Sequence, residues 1–150
     1  MKKSIILLAL LVLAAVALVF SFPKEEGLLI ERSIGDFAFA GGSPDLASEA
    51  SLVVGDVNKA LEATYAGSTG SQAKVAVIAF NSPESALFAF EKFDGLIAES
   101  GATQANETIK TMFVSSKYLV MITVQDPAET AAAIINAYLQ KFNFDKRKDY

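Results

Sequence analysis

Acid–base, nucleophilic and metal chemistry each need particular side chains, and this sequence is poor in them. It contains no histidine and no cysteine, which removes the usual zinc, copper, haem and iron–sulfur ligands. A carboxylate-only calcium or magnesium site needs dense acidic spacing, and no stretch has it. No cofactor is expected. Serine and aspartate are plentiful, but without histidine a serine nucleophile depends on a lysine or carboxylate base, and no local arrangement nominates one. The pairs Glu25-Glu26, Glu84/Glu91 and Asp126/Glu129 are the remaining candidates for two-carboxylate chemistry of the kind glycosidases use across a cleft. A linker, a solvated helix face and a helix cap account for them, so no enzyme activity is expected.

Two glycine clusters, Gly41-Gly42-Ser43 and the run from Gly67 to Ser71, lack the Gly-Lys-Ser/Thr ending of a phosphate loop and the spacing of a dinucleotide fingerprint. Turn chemistry explains both. Asn106-Glu107-Thr108 is a glycan acceptor pattern in an expected loop, so Asn106 is a candidate modification site. Phe88 is the candidate contact residue. At about 100° per residue it points away from the apolar stripe of its helix, among Glu84, Glu91 and Gly95. Either part of residues 28–57 folds over it, or it meets a partner.

The elements that must position these residues begin with an apolar run. Lys2 and Lys3 precede residues 5–22, in which only Ser21 is polar. As a helix this run covers roughly 27 Å, close to the hydrocarbon thickness of a bilayer. A cleaved signal is the alternative, but its apolar stretch is usually shorter, and the best small-x-small site here is the indifferent Val19-Phe20-Ser21. The expected organisation is therefore a cytoplasmic start at 1–4, a transmembrane anchor or signal segment at 5–22 that meets membrane lipid, and a linker at 23–27. An extracytoplasmic domain at 28–142 and a polar tail at 143–150 follow. The flanking lysines keep the N-terminus in the cytoplasm. With no cysteine, neither a disulfide framework nor a lipid-modified cysteine is available.

After residue 22 the chain keeps nine of its eleven phenylalanines, which suits a packed domain rather than disorder. The same stretch carries 11 basic and 17 acidic residues, a net charge of −6. That sign opposes a nucleic-acid partner. The terminal Lys146-Arg147-Lys148 is expected to be a frayed, solvated tail.

An echo at an offset of 44 residues organises the domain: residues 75–85 and 119–129 each read strand, cap, helix. Ser82 and Asp126 are N-cap types, Pro83 and Pro127 suit a first helical position, and Glu129 completes a box with Asp126. Helices are expected at 83–100, with Ala86, Phe90, Phe93 and Ile97 on its stripe and Gly101 as its stop, and at 127–142. Strands are expected at 59–66 and 73–80, around a glycine-rich turn, and at 107–114 and 117–124, around Ser115-Ser116. Residues 28–34 and 36–40 read weakly as strands, and 45–57 is ambiguous.

The fold class is thus α+β: an antiparallel sheet with two helices on one face, behind an N-terminal transmembrane helix. Over residues 59–142 this order resembles the ferredoxin-like split βαβ arrangement, with 59–66 where that fold's last strand would pair. The resemblance is one of topology and implies no activity. Because strands 73–80 and 117–124 are apolar on both sides, something must cover the second sheet face. The nearest candidate is residues 28–57, and the alternative is another chain. The expected function is a membrane-anchored extracytoplasmic domain acting through protein–protein contact or self-association, in the cell envelope or as a small subunit of a membrane complex. A secreted or anchored small-ligand-binding domain is the alternative.

Overall fold

The computed structural model describes residues 27–104 and 106–150. Its elements are β1 (Phe37–Gly42), α1 (Ala47–Val54), β2 (Val57–Gly67), β3 (Gln72–Phe80), α2 (Pro83–Ser100), β4 (Thr103–Gln104), β5 (Glu107–Ser115), β6 (Tyr118–Val124), α3 (Ala132–Phe142) and β7 (Lys146–Asp149). Both expected hairpins form. Ala66 pairs with Gln72 across the glycine-rich turn, and Ser115 pairs with Tyr118, leaving Ser116 in the left-handed region at φ 49°. The α2 signals are also used as read. Ser82 accepts the Ser85 N–H at 3.2 Å, Pro83 opens the helix, and Gly101 ends it at φ 86° with its N–H on the Ile97 carbonyl.

All neighbouring strands are antiparallel, in the order β1-β2-β3-β6-β5, and the outer edge of β5 is shared by β4 and β7. The central strands bury both faces. Val75, Val77, Val120 and Ile122 pack with Ile134 and Tyr138 of α3. Their alternates Ile78, Phe80, Leu119 and Met121 pack with Ala86, Ala89, Phe90 and Ile97 of α2. The two long helices therefore lie on opposite faces, which corrects the expectation of both on one. The two expected hairpins lie side by side through β3 and β6, but the single-face layering that goes with a ferredoxin-like arrangement gives way to three layers.

The second face is thus covered from within the chain, chiefly by α3. Residues 28–57 divide between the faces instead of covering one. Ile34 and Phe37, with the half-buried Leu28, Leu29 and Ile30, join the α3 side. Leu46 and Ala50 join the α2 side. Gly35, at φ 57°, lies so near α3 that an added Cβ would stand 3.0 Å from the Ala133 Cβ. The ambiguous stretch 45–57 contains α1, stapled to β2 by Asp45, whose Oδ1 accepts both the Ala47 N–H and the Ala60 N–H. Of the two weak strand readings, 36–40 corresponds to β1, while 28–34 contributes only the bridge between Ile34 and Phe37.

Two further expectations are overturned. The last helix begins at Ala132 rather than Pro127. Asp126 Oδ1 accepts the Ala128 N–H, and its carbonyl accepts the Glu129 N–H. Asp followed by Pro is as good a β-turn start as a helix start, and here the turn lets the chain pass to the other sheet face. The terminal residues do not fray: β7 pairs with Thr111, Met112, Phe113 and Val114 of β5. Among the described residues no helix is long and apolar enough to cross a membrane. The expected span at 5–22, with residues 1–4 and 23–26, lies outside the described residues.

Candidate functional site

Among the described residues the layer formed by α1 and α2 carries three of the four large exposed apolar side chains, the fourth being Phe144 beside Phe113. Burying Ala86, Ala89, Phe90 and Ile97 leaves Phe88 on the opposite side of α2, 63% exposed, with Leu87 at 41%. Phe93, expected on the buried stripe, is only partly buried. Leu52 on α1 is 86% exposed. The two helices are tied side by side, because Lys92, one turn after Phe88, donates to the Val53 carbonyl at 2.7 Å. At their near ends Asp56 accepts from Asn81 Nδ2 at 2.6 Å and from Ser85 Oγ at 2.5 Å. Those bonds, Asn81 first, hold the Asp56 carboxyl below its ordinary range. Phe88 and Leu52 thus sit beside one braced junction, and residues 28–57 do not cover Phe88. Leu52 was not legible in the sequence, because no capping pattern marked α1.

A second cluster lies on the same sheet face. Glu62 of β2, Lys74 of β3 and Glu107 of β5 point inward. Lys74 Nζ meets Glu107 at 2.5 Å, and Thr123 donates to the other Glu107 oxygen at 3.4 Å. Glu62 is 5% exposed and its Oε1 has no hydrogen-bond partner. Burial pushes its carboxyl up to about 7, against the pull of Lys74 and with the push of Glu107. A carboxyl near neutrality suits proton transfer in principle. Here Glu62 is closed in, and Lys74 is engaged by Glu107. Among the described residues no group of three or more acidic side chains could hold a metal ion.

On the opposite face, residues 29–32 and α3 border an open groove of about 530 Å³, lined by Leu29, Arg32, Ala137, Gln140 and Lys141. No family model, curated protein or solved structure matches the chain. The functional reading therefore rests on the chemistry of these surfaces.

The remaining sequence candidates separate. Asn106 is exposed in the β4–β5 turn at φ 65°, at the far end of α2 from Phe88. Thr108 of its acceptor pattern is buried, with an unpartnered Oγ1. Glu84 is exposed in the first turn of α2, and Glu91 meets Lys146 at 3.4 Å. Asp126 and Glu129 hold the turn before α3, and Glu25 and Glu26 lie outside the described residues. The basic run is paired: Arg147 with Asp149, and Lys148 with Asp94. Lys148 and Tyr150 bond to Asp94, which lowers that carboxyl.

Proposed function

We propose that this chain is a membrane-tethered extracytoplasmic domain that works by protein–protein contact through the outer surface of α1 and α2. The observation that carries the reading is the exposure of Phe88 and Leu52 beside one braced helix junction. Large apolar side chains grouped on a polar surface mark contact sites, and aromatic residues are enriched among those that dominate binding. The tether is residues 5–22, long and apolar enough to span, with Lys2 and Lys3 on the cytoplasmic side.

A photoreactive side chain at position 88, introduced into the full chain in its native membrane, tests the contact. One protein adduct of defined mass is expected at position 88 and no protein adduct at position 136 on α3, with Leu52→Asp abolishing the first. Equal labelling at both positions would contradict the reading. A small-ligand domain is the second reading, because the groove beside α3 falls within the size range of ligand pockets. The charged groups Glu31, Arg32 and Lys141 in its lining suit an apolar ligand poorly.

A further inference from the structure

The α3 side of the domain is joined to the N-terminal segment by a specific device. The Ile30 N–H donates to Tyr138 Oη at 3.0 Å, and Tyr65 Oη donates to the Ile30 carbonyl at 2.6 Å. Tyr65 belongs to β2 and Tyr138 to α3, and both are fully buried. Residue 30 is therefore fixed to the core on the α3 side. Only residues 23–27 separate the last apolar residue of the tether, Phe22, from Leu28, which packs on that same side. The six Cα steps from Phe22 to Leu28 span at most roughly 21 Å. A domain of this size has a radius of gyration of roughly 14 Å, so its breadth exceeds the linker's reach.

The charge of the α3 helix itself points the same way. α3 has no acidic residue, and it exposes Ala132, Ala133, Asn136, Gln140 and Lys141. α2, on the other face, exposes Glu84, Glu91 and Glu99 together with Lys92, and Glu91 is paired with Lys146. Arg32 and Lys141 line the groove beside α3, and neither has a carboxylate partner among the described residues. One carboxylate, Glu31, shares that groove.

We infer that the α3 layer is the side of the domain that rests on the bilayer, with Arg32 and Lys141 against the anionic phosphates of lipid headgroups. This rests on the tether proposed above and gives it an orientation. A short linker leaving the α3 side brings that side to the membrane surface. Anionic headgroups attract Arg32 and Lys141 on that side. The same placement turns Phe88 and Leu52 away from the bilayer, toward the aqueous space where a partner would reach them.

The chain has no cysteine, so single-site labelling is direct. Asn136→Cys on α3 and Glu99→Cys on α2, each carrying a nitroxide, are reconstituted as the full chain into vesicles of phosphatidylcholine and phosphatidylglycerol containing a nickel-chelating lipid. The expected result is relaxation of the position-136 label several-fold stronger than that of the position-99 label. The difference should shrink with Arg32→Glu and Lys141→Glu together. Equal relaxation in protein that floats with the vesicles overturns the orientation and leaves the tether standing. Protein that does not float overturns both. A difference unchanged in phosphatidylcholine alone, or by the double substitution, overturns the role given to Arg32 and Lys141.

Discussion

The phenolic oxygens of Tyr65 and Tyr138 lie 2.7 Å apart, and their neighbours fix the direction of that bond. The Tyr65 proton is committed to the Ile30 carbonyl, so Tyr138 donates to Tyr65 while accepting from the Ile30 N–H. The three groups close a ring in which each hydroxyl gives one hydrogen bond and receives one. Burial raises both phenols above their ordinary range, so the ring stays protonated at physiological pH. A sheet strand, a helix and the segment that follows the proposed tether meet in it.

Opening this ring strands a polar group in the core. Tyr138→Phe leaves the Ile30 N–H without its acceptor, and Tyr65→Phe leaves the Ile30 carbonyl without its donor. Each is expected to cost about 1 to 3 kcal/mol. The double variant is expected to cost less than the sum, because the two residues share partners. Urea-denaturation midpoints of the four proteins check this, and strict additivity would show that the ring does not act as a unit.

Stability is expected to depend on pH through Glu62. Its folded-state value of about 7 lies above its ordinary 4.5. Between those values the native state binds more protons than the unfolded chain. The contribution is therefore fully present below about 4.5, declines as pH rises, and is lost above about 7. Its size is on the order of 3 kcal/mol. Glu62→Gln keeps the neutral form at every pH, so the variant should lose this slope and exceed the parent in stability at pH 8. Denaturation midpoints across the range are the readout.

The two caps are expected to differ. Ser82→Ala removes the bond to the Ser85 N–H at a true helix start and should cost about 1 kcal/mol. Asp126→Ala removes only an exposed turn contact, and its effect should stay within about 0.5 kcal/mol. Equal losses in chemical denaturation would place Asp126 at a helix terminus after all.

Deleting residues 146–150 should uncover the β5 edge at Thr111, Met112, Phe113 and Val114, which β7 pairs. An unpaired apolar edge templates association with other chains. Self-association measured by sedimentation is the expected outcome, and a truncated chain with unchanged association state would show that β7 does not protect the edge.

Most of the sheet was legible because turns and alternation mark it locally. Gly67 and Gly70 bracket one hairpin, Ser115 and Ser116 the other, and Ser82-Pro83 the start of α2. The side taken by α3 was not legible, since the stripe containing Ile134 and Tyr138 says that the helix is amphipathic and not which sheet face it meets. The need for cover on both faces was readable from Val75 to Phe80 and from Tyr118 to Val124. Glu62 and Thr64 alternate with apolar neighbours as a solvent-facing pair would, and only tertiary packing buries Glu62. The charged run Lys146-Arg147-Lys148 has no strand signature, although charged residues are tolerated at an exposed edge. Phe88 could be singled out from helical periodicity. Leu52, on a short helix without a side-chain cap, could not.

The central claim is that residues 5–22 remain in the protein and hold it in the membrane. Intact-mass measurement of the protein extracted from alkaline-washed membranes tests it most directly. A species that retains residues 5–22 is expected in that fraction. A species lacking roughly the first 20 residues and recovered from the medium, the mark of a cleaved signal, would contradict it.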